Sequence, residues 1–194
     1  MPKITRDSLL TLEAYARTRN DFRARVLEHK KPRALHLGDH VTLLFEDELT
    51  IRYQVQEMLR IERIFEDSGI QDELDSYNPL VPDGSNFKAT MLIEYEDAGE
   101  RAASLAKMKG IEDAVWVQAG GLAKVRAIAD EDLERENEQK TSAVHFLRFE
   151  LTGEMIAVLK RGGTLAFGVS HPAYAASVEP VSNESRAALV RDLA

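Results

Sequence analysis

The chain has 194 residues, a formal net charge of -8, 44% hydrophobic and 30% charged residues, and no cysteine. That length carries a core without disulfides or a structural metal, and that composition argues against extended disorder. The missing thiols exclude iron–sulfur clusters, thiolate zinc sites and cysteine nucleophiles, which leaves the chemistry of His, carboxylate, Tyr and Arg.

The start, MPKITRDSLLTLEAY, carries charge early and has no apolar run, so no leader peptide is expected and the expected location is cytoplasmic. No window approaches the roughly 18 to 20 apolar residues of a membrane span. Asp7 or Ser8 is placed to cap a first helix that runs to Lys31 and stops before Pro32. Residues 15–33 hold seven Lys and Arg against two carboxylates, a local +5 that leaves the rest of the chain at -13. One short basic helix on an acidic body does not make a nucleic-acid interface, but it suits a small anion or an acidic partner.

Leu35 and Leu37, then Val41, Leu43 and Phe45, alternate about Gly38-Asp39 as a hairpin. Asp47 then opens a long helix on which Ile51, Val55, Met58 and Phe65 share a face with Glu62. A buried carboxylate needs a partner, and Arg148 is the expected one. A short helix from Ile70 ends at Tyr77 before Asn78-Pro79. Beyond Phe87 the pattern gives a strand, a helix over 100–110, and a hairpin over 111–129 about Gly120-Gly121. A polar loop or frayed helix over 130–140 follows, then a central strand with His145, Leu147 and Phe149 on one face and Phe146, Arg148 and Glu150 on the other. Last come the helix TGEMIAVLKRGG, the strand TLAFGVSHP and a helix begun by Ser182 or Asn183. The expected fold is α+β, a single domain over 1–194 with a mixed or mainly antiparallel sheet and packed helices. Its helical half, 7–80, packs on a sheet-rich half, 87–194.

Three familiar signatures are absent: Gly120-Gly121 and Gly162-Gly163 lack a nucleotide-binding context, DGSN at 83–86 is a turn, and Ser170-His171 point to opposite faces of a strand. Two sets of side chains carry the functional expectations. Arg19, Arg23, Arg52, Arg60 and Arg148, with Glu62 and Tyr77, are candidates to hold a small anionic molecule or a protein partner. His145 and His171, with Glu62, Glu94 and Glu150, would suffice for iron, manganese or zinc, although no HxH, HExxH or ExxH spacing supports it. No catalytic residue is assigned.

The segments YARTRNDFRARVLEHKKPRALHLGDHVTLLFEDELTIRYQVQEMLRIERI, IQDELDSYNPLVP, ATMLIEY, SAVHFLRFEL and HPAY together resemble the DUF3501 family of uncharacterised bacterial proteins over nearly the whole chain. The resemblance implies small cytoplasmic proteins encoded near rubrerythrin-like or iron–sulfur oxidoreductase genes, and so a redox or metabolic setting. The family pattern tends toward FEN where this chain has Phe45-Glu46-Asp47, which keeps a capping acceptor. The leading expectation is an accessory or small-anion-binding protein. The alternatives are a metal-dependent oxidoreductase or hydrolase with a His/carboxylate site, and a structural or protein-interaction role in which the Glu62–Arg148 pair is core architecture; the edge of the 111–129 hairpin either extends a sheet across a homodimer or is capped within the chain.

Overall fold

A computed structural model describes residues 3–132 and 135–194. Thr11 caps the first helix, α1 (Leu12–Lys30), and a separate short turn at Arg6–Ser8 precedes it. The expected helix start at Asp7 or Ser8 is therefore displaced, because the Thr11 hydroxyl takes the Ala14 N–H at 3.3 Å and the chain before it is extended. β1 (Ala34–Leu37) and β2 (Val41–Phe45) form the expected hairpin, turning through Gly38 at φ 69°, where a side chain would be strained. Asp47 caps α2 (Glu48–Glu62), accepting the Thr50 N–H while the Thr50 hydroxyl accepts the Asp47 N–H. α3 (Asp67–Tyr77), β3 (Asn86–Ile93) and α4 (Ala98–Lys107) follow.

β4 (Val115–Ala119) returns through Gly120 to β5 (Val125–Arg126), as the hairpin pattern requires. The return strand then changes sheet. β5 pairs with β4, whereas β6 (Ile128–Ala129) leaves to pair with β7 (Val144–Glu150). The hairpin thereby ties two sheets together inside one chain. α5 (Gly153–Lys160), β8 (Leu165–His171), β9 (Tyr174–Val178) and α6 (Asn183–Val190) complete the chain, and β9 had no expected counterpart. Of the polar segment 130–140, residues 133 and 134 lie outside the described residues.

The sheets run β1-β2-β3-β7-β6 and β5-β4-β8-β9, and every pairing between described strands is antiparallel. This is an α+β domain of antiparallel sheets with packed helices. The expected division into halves is crossed by the larger sheet, since β1 and β2 join β3 and β7. Period-two alternation sends Leu43, Phe45, Phe87, Ala89, Met91, Leu147 and Phe149 inward against Val117, Phe167 and Val169 of the smaller sheet. Phe167 meets Phe45 and Phe149 at ring-centroid distances of 4.8 and 5.3 Å. The outward face of the larger sheet carries Lys88, Thr90, Phe146 and Arg148.

A second, smaller core forms where Ile51, Val55 and Leu59 of α2 meet Ile70 and Leu74 of α3, with Ile4 and Val81. This helical layer lies over the outward sheet face, which sets up the cleft described next.

Candidate functional site

The apolar stripe of α2 turns into its own core and leaves Gln54 and Met58 facing the sheet. Beneath them the sheet register places Lys88 directly opposite Arg148, and the Glu46 N–H donates to the Lys88 carbonyl at 2.8 Å. Glu46, immediately after β2, is thus a neighbour of Lys88 and Arg148 along a row that continues across β3 and β7. The α3 side chains Glu73, Ser76 and Tyr77 and the connector residues Pro79 and Leu80 close the far wall. The space between is a cleft of about 660 Å³ with Phe146 and Leu147 in its floor. Its size and mixed lining are those of a small-molecule site.

The charges in this cleft differ in how far they are committed. Arg148 is engaged by Glu131 at 2.8 Å and by Glu150, and Glu131 is held below the usual carboxylate range by its hydrogen bond from Arg148. Lys88 makes no ion pair among the described residues; its ammonium donates to the Pro79 carbonyl, and burial pushes it below its ordinary pKa. Burial, reinforced by Glu62 and Asp72, pushes Glu73 up. Glu46 is 5% exposed and accepts from the hydroxyls of Thr50 and Thr90 at 2.6 and 2.9 Å.

Of the side chains expected to bind a ligand, the structure brings Tyr77 and Arg148 to the cleft and leaves the rest outside its lining. Arg19 forms a two-pronged pair with Glu57 at 2.7 Å, Arg60 meets the same carboxylate at 3.2 Å, and Arg52 lies 3.3 Å from Glu48. Arg23 is exposed on α1. The Tyr15 hydroxyl also donates to Glu57 at 2.6 Å, so this face of α2 is covered by α1 and belongs to the helix–helix contact. Arg19, with the other donors, holds Glu57 well below the usual carboxylate range.

Glu62 is exposed, and the expected Glu62–Arg148 pair does not form. The reason is local: α2 ends at Glu62, Arg63 turns into the left-handed region at φ 56°, and the buried stripe stops at Leu59. Phe65, expected on the same buried face, is 70% exposed.

The expected metal set is also dispersed. His171 lies 2.9 Å from the Lys109 carbonyl, Glu94 takes the Thr42 hydroxyl at 2.9 Å, and Glu150 belongs with Ser85, Asn86 and Arg148. His145 instead meets two carboxylates absent from that set. Its ring is fully buried; Nδ1 lies 2.6 Å from Asp130 and Nε2 lies 3.8 Å from Glu112, the donor atoms of all three falling within 4.8 Å of one another. A contact that short to a carboxylate assigns a proton to Nδ1; Nε2 lies 3.0 Å from the Thr141 hydroxyl and 3.1 Å from the Ser142 carbonyl. Asp130 also accepts the Phe146 N–H at 2.9 Å and lies 3.2 Å from Arg135. Both His145 nitrogens, both Asp130 oxygens and Oε2 of Glu112 already have protein partners, and the network pins the chain after β6 to the start of β7.

A family model described as "Protein of unknown function (DUF3501)" matches residues 3–193. No curated protein matches the chain. Among solved structures, a novel protein of unknown function from Burkholderia pseudomallei is 56% identical over 100% of both chains, with a TM-score of 0.94.

Proposed function

The chain belongs to the DUF3501 family, and we propose that it is an accessory protein that binds a small organic molecule between α2–α3 and the larger sheet. The observation that carries this reading is the cleft itself, about 660 Å³, walled by Met58, Leu80 and Phe146 and edged by charged groups of which Lys88 has no carboxylate partner among the described residues. The reading places the protein in the cytoplasm and in a metabolic setting, with the ligand or a partner protein supplying the chemistry. A thermal-shift screen of small metabolites tests it. A ligand at 100 times its Kd stabilises by about 2.7 kcal/mol. In a chain of this size that moves Tm by roughly 5–10 °C. Ser76→Trp, placed in the exposed rim of α3, fills the cleft and abolishes the shift. A screen without saturable hits, or hits that shift Ser76→Trp equally, defeats the proposal.

The cluster of His145, Asp130 and Glu112 supports a second reading, a buried site for iron, manganese or zinc. His145 with the two carboxylates would hold the ion, in exchange for the present contact of Asp130 with Nδ1. Such an ion would supply Lewis-acid or redox chemistry. Against it stands Arg135, which already brings a cation to Asp130. Elemental analysis of the natively purified chain and of His145→Gln decides: near-stoichiometric metal lost in the variant supports this reading, and trace metal in both removes it.

A further inference from the structure

Three carboxylates among the described residues are buried: Glu46, Asp47 and Asp192, at 5, 7 and 4% exposure. Two of them have a cation. Asp192 meets Arg33 at 2.7 Å, and Asp47 meets His29 at 2.6 Å and Arg33 at 3.0 Å. Among the described residues Glu46 accepts hydrogen bonds from the two hydroxyls alone and no Lys, Arg or His reaches ion-pair distance of it; the Arg33 guanidinium acts on it only through space. A buried carboxylate held by hydroxyls alone is costly unless a positive charge joins it. It is also the buried carboxylate that lines the cleft.

Lys88, its neighbour across the strands, would be the obvious partner and is not. Its ammonium leans instead to the Pro79 carbonyl, at the other side of the cleft. The lining holds five carboxylates and two cations among the described residues, and one of those cations, Arg148, is taken by Glu131 and Glu150. An anion entering this space meets mostly negative charge, whereas an ammonium beside Glu46 completes the one buried carboxylate among the described residues that lacks an ion pair.

Building on the cleft reading above, we propose that the ligand is a small organic amine, bound with its ammonium group on the Glu46 carboxylate and its apolar body against Met58, Leu80 and Phe146. The Thr50 and Thr90 hydroxyls hold the carboxylate in place, so it is set for a cation without rearrangement. This reverses the sign of ligand that the arginine-rich sequence suggests.

Three matched probes test it: 2-phenylethylamine, 2-phenylethanol and 3-phenylpropanoate, each titrated into the full chain by ligand-observed saturation-transfer NMR. The expected result is saturable binding of the amine about tenfold tighter than the alcohol, as a charged hydrogen bond gives over a neutral one. The propanoate binds more weakly still. In Glu46→Gln, which removes the charge at nearly unchanged size and keeps one hydroxyl bond on the amide oxygen, the amine falls to the level of the alcohol. The comparison of probes on the unmodified chain stands without that variant. Equal binding of amine and alcohol, both lost in Ser76→Trp, overturns the amine assignment and leaves the cleft reading intact; preference for the propanoate does the same and points to Lys88. No saturable binding of any probe overturns the assignment to aryl amines of this kind, and the metabolite screen then judges the cleft separately.

Discussion

Removing Asp192 strands a charge in the interior, and the structure sets what that costs. The Arg33 guanidinium is 3% exposed and reaches Asp192 through Nη1 at 2.8 Å and Nη2 at 2.7 Å. Among the described residues its remaining contacts are Asp47 at 3.0 Å and the Ala188 carbonyl at 3.2 Å, and Nε has no hydrogen-bond partner. Asp192→Ala therefore deletes two charge-assisted hydrogen bonds and leaves the guanidinium on Asp47 and one carbonyl. Breaking one side of a buried pair costs about 3–5 kcal/mol. Asp47 keeps Arg33 partly neutralised, which favours the lower end, about 3 kcal/mol, or a fall of roughly 6–12 °C in Tm. Urea unfolding followed by circular dichroism measures it. The double variant Arg33→Met with Asp192→Leu removes both charges and is expected to cost less than Asp192→Ala alone, since Asp47 keeps His29 at 2.6 Å. The consequence reaches the cleft, because the same Arg33 holds Asp47, the cap of α2, immediately after Glu46. A single-variant cost under about 1 kcal/mol, or a double variant as costly as the two singles added, would refute the account of this pair.

Acid should weaken the α1–α2 contact in a defined direction. Arg19 depresses the Glu57 pKa in the folded chain, so the stabilisation is present above the unfolded carboxylate value of about 4.3 and is lost as pH falls through the lower folded value. The Tm gap between the native chain and Glu57→Gln is expected to be widest near neutrality and to close in acid; a gap independent of pH contradicts it. Gly168→Ala would bring a Cβ within 2.3 Å of the Trp116 ring and 2.9 Å of Ser177, so β8 must part from its neighbours. A loss of about 1–3 kcal/mol in thermal or urea unfolding is expected, and an unchanged Tm counts against the observed packing.

Much of the fold is legible in the residues because its periods are clean. Leu35, Leu37, Val41, Leu43 and Phe45 alternate about a glycine, and Asp47 and Thr152 stand where helices begin. The first helix begins later than Asp7 suggests because Thr11 offers a competing cap. The crossing from β5 to β6 is hidden because Val125 to Ala129 reads as one strand, and only tertiary pairing shows that its two ends serve different sheets. Glu62 misleads for a related reason: helical projection assigns a face, but Arg63 ends the helix before that face reaches Glu62. In the cleft, Tyr77 and Arg148 were readable as polar groups on buried elements. Lys88 and Glu46 were not, since a lysine on an alternating strand looks like solvent charge and Glu46 looks like part of a capping segment. Glu112 and Asp130 carry no local ligand spacing, and only the pairing of β6 with β7 brings Asp130 to His145.

Whether the cleft takes a ligand can be read from four methionine methyl groups. Met58 lines the cleft, while Met91, Met108 and Met155 are buried in the core between the sheets. With the methionine methyls labelled with carbon-13, titration with 2-phenylethylamine is expected to move the Met58 resonance saturably and leave Met91, Met108 and Met155 in place. A stationary Met58 under saturating probe, or equal movement of all four, would contradict binding between α2–α3 and the sheet.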